Sequence, residues 1–262
     1  MTEGGLVGRL GRAAAMTAIA GTVGGALLIA GEAVVARNRR YAQPQLGLAL
    51  RTAIGREDAP PLRLVLLGDS TSLGVGVDDV RDTIGGQLAQ LLAEEARLRV
   101  QLSSVGVAGS RSTDLATQVA RALLGDRPDV AVILIGANDA TALRRPGESA
   151  AYLGAAVRRL RDTGVEVVVG TCPDLGAARA IGQPLREMAG WWGRRTGFAQ
   201  GRAAHAAGGI VVDLAAETGA VFRADAGTLC YDGFHPSADG YRVWAHALLP
   251  AVTAAATASH LA

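Results

Sequence analysis

The chain has 262 residues, 49% of them apolar, with 26 basic against 24 acidic side chains and a net charge of +2. That is room for one domain of about 200 residues plus an appendage, with enough apolar material for a core; it excludes a disordered chain and makes no case for a nucleic-acid partner. Every basic residue is arginine, as a GC-rich bacterial genome favours, which removes Schiff-base chemistry, a lysine general base and a Walker-type phosphate loop, while two cysteines and four histidines without metal-ligand spacing predict neither metal nor cofactor.

Ala13 to Gly31 carry no charge, and the stretch is about long enough to cross a bilayer as a helix. Gly21 and Gly25 stand at GxxxG spacing, a weak helix-association signal. The best cleavage site, Val34-Val35-Ala36, is poor. Residues 1–40 are therefore expected to form an N-terminal membrane anchor or signal-like segment. The domain is expected to face the cell envelope, although Arg37, Arg39 and Arg40 behind the segment pull weakly the other way. Residues 41–61, with Pro44, Pro60 and Pro61, read as a linker.

A domain over 62–256 follows. Leu62 to Leu67 is an apolar run that stops at Gly68-Asp69-Ser70, which reads as a buried strand and a tight turn lifting a serine off its carboxyl end. Ile84–Ala96 reads as a helix, Leu98–Val105 as a strand and Ser112–Leu124 as a helix. Val130–Ile135 is the third strand. Ser149–Asp162 is a helix whose Leu153, Ala156, Val157 and Leu160 share one face. Val165–Val169 is the fourth strand, Pro184–His205 is helical, and Ile210–Leu214 is the fifth strand. Ser237 caps a last helix, expected to fray after Val252. Five such units predict a three-layer α/β/α, flavodoxin-like fold with a five-stranded parallel sheet.

Polar groups gather at the strand ends. Gly68-Asp69-Ser70 follows the first strand, Gly106-Val107-Ala108-Gly109 the second and Gly136-Ala137-Asn138-Asp139 the third. Asp232-Gly233-Phe234-His235 comes near the end of the chain. Ligands of open α/β sheets bind at those ends. A serine needs a base, and the base an orienting group; His235 and Asp232 are of the right kind and share a loop.

This arrangement resembles the SGNH/GDSL hydrolase superfamily over about residues 62–250. Gly68-Asp69-Ser70 looks like its first block, with Thr71 where leucine is usual. Gly106 to Gly109 looks like the second, with Ser104 where asparagine is frequent. Gly136 to Asp139 looks like the third, and Asp232-x-x-His235 like the fifth. The resemblance implies hydrolysis of esters, sometimes thioesters or amides. It makes Ser70 the nucleophile, His235 the base and Asp232 its orienter. By the same resemblance, the Ser70 and Gly109 N–H groups and the Asn138 amide would form the oxyanion hole, supported by Gly68 and Asp69. Glycine at 109 is expected to let the backbone approach the oxyanion without a Cβ in the way.

An acyl-ester hydrolase acting on a small-molecule or lipid ester is the first reading. An acyltransferase on the same scaffold and a non-catalytic membrane-tethered binding domain are the alternatives. An α/β-hydrolase elbow is disfavoured, because Ser72 stands where G-x-S-x-G needs glycine. His205 and His246 read as surface or helix-packing residues, and Trp191-Trp192 as packing ahead of an acyl pocket. Cys172 and Cys230 both fall on the sheet's catalytic edge and are expected to form a disulfide, the alternative being two buried thiols.

Overall fold

The structure is a computed structural model that describes residues 25–36, 38–43 and 50–261. Most of the expected anchor, 1–24, lies outside the described residues. Residues 25–36 are helical (α1), and among the described residues no helix is long and apolar enough to cross a membrane.

Strands β1 (Arg51–Ile54), β2 (Pro61–Gly68), β3 (Arg99–Ser104), β4 (Val130–Leu134), β5 (Glu166–Gly170) and β6 (Ile210–Val212) form one sheet in the order β1-β3-β2-β4-β5-β6. All neighbours are parallel except β1, which runs antiparallel to β3 with Arg51 opposite Ser103. The sheet thus has six strands where five were expected, and the expected linker supplies the extra one. Its four residues are half-buried or exposed, so no apolar run announces them.

The helices α2 (Ile84–Glu95), α3 (Leu115–Ala122), α4 (Ala137–Thr141), α5 (Pro146–Arg161), α6 (Leu185–Ala206), α7 (Leu214–Ala224) and α8 (Ala238–Leu261) complete the chain. Successive strand residues point to opposite faces. Leu62, Leu64, Leu66, Val100, Leu102, Val132 and Val168 therefore pack with residues of α2, α7 and α8. Val65, Leu67, Ile133, Val167 and Val169 pack with residues of α3, α5 and α6. Helix α7 was not expected. The run Ile210-Val211-Val212 ends sooner than predicted, and Asp213 caps a new helix by accepting the Ala216 N–H at 3.1 Å. Helix α8 does not fray at Val252; it continues to Leu261, holding Ala255 and Ala256 in the core.

The chain leaves β2 for β3 on one side and then crosses to β4 on the other. The order reverses between β2 and β4, where Gly68 pairs with Leu134. Such a switch point opens a crevice at the strands' carboxyl ends. Ser70 is at its mouth.

Candidate active site

The turn that carries Ser70 is a short 3-10 helix, Ser70–Leu73. Asp69 caps it, its Oδ1 accepting from the Thr71 N–H at 3.0 Å and the Thr71 hydroxyl at 2.9 Å. Burial pushes the Asp69 carboxyl above its ordinary value, against those two hydrogen bonds. Gly68 makes the turn possible. Its φ is +140°, and a Cβ there would sit 1.8 Å from the Leu134 carbonyl oxygen. The Gly68 peptide groups are gripped by Gln118 of α3, which accepts from the Gly68 N–H at 2.7 Å and donates to the Gly68 oxygen at 2.9 Å.

The loop 229–236 brings His235 to Ser70. Leu229 and Pro236 bridge its ends, the Cys230 N–H donates to the His235 oxygen at 2.9 Å, and the Gly233 N–H donates to the Cys230 oxygen at 2.9 Å. His235 Nε2 lies 2.9 Å from Ser70 Oγ, and His235 Nδ1 lies 2.6 Å from Asp232 Oδ2. Asp232 Oδ1 accepts from the Phe234 N–H at 2.7 Å and the His235 N–H at 2.9 Å, while Oδ2 also accepts from the Ala42 N–H at 2.9 Å. Burial alone would raise the Asp232 carboxyl; the donors from His235, Ala42 and Phe234 outweigh it and hold the group well below the usual carboxylate range. A carboxylate that stays ionised fixes the imidazole with its proton on Nδ1, which leaves Nε2 free to accept from Ser70.

Asn138 is half-buried in α4 and donates one Nδ2 proton to the Ser110 oxygen at 3.0 Å, which orients its amide. Its other proton is unassigned. Among the described residues, neither the Ser70 N–H nor the Gly109 N–H has a protein acceptor. A Cβ at Gly109 would meet no protein atom within 4 Å, and its φ of +79° is one that an L side chain resists. The oxyanion-donor role expected of Asn138 would make its amide a contact that strengthens as charge grows on the oxyanion. Asn138→Ala is therefore expected to lower kcat by about 10²–10³, with KM changed little. Steady-state kinetics corrected for folded fraction checks this; a large fall in Tm with kcat intact would make Asn138 structural.

Several supports were not singled out as site residues by the sequence. Asp139 is buried and ties three segments together: its Oδ2 accepts from the Ser112 N–H and hydroxyl, both at 2.9 Å, and its Oδ1 from the Ser149 hydroxyl at 3.0 Å. Gln200 of α6 accepts from the Cys172 N–H at 2.9 Å and donates to the Ile135 oxygen at 3.0 Å. The fully buried Tyr241 donates to the Val75 oxygen at 2.7 Å, pinning the chain just beyond the Ser70 turn. Gln118 had a detectable signal, since it shares the apolar face of α3 with Leu115, Val119 and Ala122, where a polar residue needs partners.

The expected disulfide is not formed; Cys172 and Cys230 are free thiols. Cys172 is buried with Ala137, Ala140 and Leu175, whereas Cys230 packs on Ala42, Leu73 and Val75, in a separate cluster. Burial raises both thiols, Cys230 to about 11 and Cys172 further, so both stay neutral. Trp192 packs against the Cys172 cluster and donates to the Arg144 oxygen at 3.0 Å; Trp191 is exposed, as are His205 and His246. A groove of about 890 Å³ lies over β3, beside α3, but it does not include Ser70, Asp232 or His235. The hydrogen-bonded chemistry marks the site better than that groove does.

The GDSL-like Lipase/Acylhydrolase family matches residues 66–243, which contain every residue of the hydrogen-bonded line from Ser70 to Asp232. The chain belongs to this family. A curated relative, the GDSL-like esterase Rv1075c of Mycobacterium tuberculosis, is 43% identical over 205 residues, which cover 77% of this chain. The chain spans 65% of that relative's length. Among solved structures, LAE5, an alpha/beta hydrolase enzyme from the metagenome of Lake Arreo, is 23% identical with a TM-score of 0.59, covering 74% of this chain and 96% of that one. Axe2, an acetylxylan esterase from Geobacillus stearothermophilus, is 20% identical with a TM-score of 0.54, covering 75% and 96%. At these identities the two likenesses establish the fold. The GDSL block itself is Gly68-Asp69-Ser70 here, and Thr71, in the place of the usual leucine, contributes two donors to Asp69.

Proposed function

We propose that the protein is a serine-dependent acyl-ester hydrolase, carboxylesterase- or lipase-like, acting on small-molecule or lipid esters. The observation that carries this reading is the unbroken line Ser70 Oγ, His235 Nε2, His235 Nδ1, Asp232 Oδ2, with steps of 2.9 Å and 2.6 Å at its two hydrogen bonds. Ser70 Oγ attacks the acyl carbonyl as its proton passes to His235 Nε2. The tetrahedral oxyanion is met by the N–H groups of Ser70 and Gly109 and the amide of Asn138. His235 returns the proton to the departing alcohol, leaving an acyl-serine. Water, deprotonated by the same nitrogen, then releases the acid. Asp232 stays ionised throughout. Family membership and the 43% identity to an esterase support ester bonds as the target.

A non-catalytic binding domain has no need of a serine hydroxyl bonded to an imidazole that is itself bonded to a buried carboxylate. A fluorophosphonate probe separates the two readings. Wild-type protein should be labelled on the peptide that contains Ser70, and both heat-unfolded protein and Ser70→Ala should not. Absence of label, or label elsewhere, would overturn the assignment. The uncharged stretch from Ala13 to Gly31 supports a tether to an envelope membrane as part of the same reading. Retention of the full chain in carbonate-washed membranes is its check, and release removes it.

A further inference from the structure

The Asp232 carboxylate has four donors. Three come from its own loop: the Phe234 N–H, the His235 N–H and the His235 ring. Loop closure alone supplies these. The fourth, the Ala42 N–H, comes from 190 residues away, in the stretch expected to be a linker. Ala42 is buried, and its side chain packs with Leu73 and Val75, just beyond the nucleophile turn, and with Cys230 at the base of the catalytic loop. It therefore touches both halves of the site. Tyr41, next to it, sets its ring edgewise against Phe234, centroids 5.4 Å apart, and against His235 at 6.3 Å. The segment is held from behind. The Tyr41 hydroxyl donates to the Ala36 oxygen at 2.8 Å, and Glu32 Oε2 accepts from the Leu185 N–H at 3.0 Å, at the start of α6.

We propose that Tyr41 and Ala42 form a positioning strap for the Asp232–His235 pair, with the Ala42 N–H fixing Asp232 Oδ2 and the Tyr41 ring walling His235 from water. The proposal rests on the hydrolase reading for its kinetic consequences, but not for its structural one. The side chain of Asp232 is wholly covered, and that of His235 is 8% exposed. A buried carboxylate oxygen that loses a donor is not compensated by solvent, so its charge falls more heavily on its remaining partner. That partner is the imidazole. Without the Ala42 N–H, the imidazolium is more strongly stabilised and the ring holds its proton to higher pH. Other titratable groups face the pair: the Tyr41 phenol and the Cys230 thiol, both raised chiefly by burial and so neutral; Asp69 across the nucleophile turn; and Tyr241 from α8. None of them changes in the experiment below.

The test uses the full chain with three changes at one position. Ala42→Pro deletes the N–H. An amide-to-ester replacement at residue 42 deletes it with less disturbance, and Ala42→Gly keeps it. The first two should lower kcat by about tenfold with KM within about threefold, and should move the acidic limb of kcat/KM up by about half a pH unit. Ala42→Gly should keep the wild-type pH profile. If Ala42→Pro fails to fold, the ester variant decides. A wild-type kcat and pH profile in the ester variant would overturn the proposal, as would a lower Tm with the profile unmoved. Titration of the His235 ring by NMR reads the same shift without any substrate. If wild-type protein hydrolyses no ester, the hydrolase reading fails, and the ring titration alone upholds or overturns the strap.

Discussion

Ser70→Ala is expected to remove ester hydrolysis by on the order of 10⁵-fold or more while leaving the fold intact. The hydroxyl makes one side-chain hydrogen bond, to His235, and Ser70 is half-buried at the mouth of the crevice, so its loss leaves neither cavity nor strain. His235→Ala should cost a similar factor, and the double variant little more, because nucleophile and base act as one unit. The two single variants should differ in stability. Without the imidazole, buried Asp232 keeps three backbone donors and loses its strongest partner, so His235→Ala should melt below Ser70→Ala. The pH dependence follows from the sign of the Asp232 shift. Its folded-state value lies below the unfolded one. Its stabilising contribution is therefore present above about pH 4 and is lost as pH falls toward the folded value. Single-turnover kinetics normalised to folded protein, with thermal melts at pH 7, would check the pair. Ser70→Ala retaining more than about a tenth of wild-type activity would remove Ser70 as nucleophile.

Gly68→Ala is expected to destabilise the fold severely, by about 4 kcal/mol or more. Two costs combine. The backbone lies at φ +140°, where an L side chain is strained, and the added methyl would meet the Leu134 carbonyl at 1.8 Å. That carbonyl accepts the Asp69 N–H at 3.2 Å, so β4 cannot move aside without releasing the nucleophile turn. Shifting Gly68 instead breaks the paired bonds from Gln118. Urea unfolding followed by circular dichroism measures the loss, and a midpoint near wild type would refute the argument. Should the variant give no soluble protein, Gln118→Ala provides a milder reading of the same clamp.

The parts readable from sequence were those written locally. Buried parallel strands are continuous apolar runs, so β2, β4 and β5 declared themselves, and the residues closing each run, Ser70 and Asn138 among them, stood out as polar ends. Asp232 and His235 share one short loop, so their pairing needed no tertiary knowledge. Strand β1 escaped because an edge strand exposed on one side has no apolar run. Helix α7 escaped because Val212-Asp213-Leu214 continues a strand pattern until the cap at Asp213 is known. Gln118 and Gln200 act through contacts 50 and 65 residues away, and Ala42 acts through a backbone N–H, which every residue but proline carries. The expected disulfide shows the limit of edge-level placement: two cysteines at the same end of a sheet packed into different clusters.

The strap has a consequence for how the molecule comes into being. Ala42 meets Asp232 across 190 residues, and Ser70 meets His235 across 165. A chain emerging from the ribosome exposes the strap and the nucleophile turn long before the loop that supplies the base. Until that loop docks, the serine is an ordinary alcohol, unable to acylate itself on esters it encounters during synthesis. Contacts this distant in sequence close late compared with helices. A refolding chain therefore regains its helical signal before its reactive serine, and competence of that serine reports that both ends of the domain have come home.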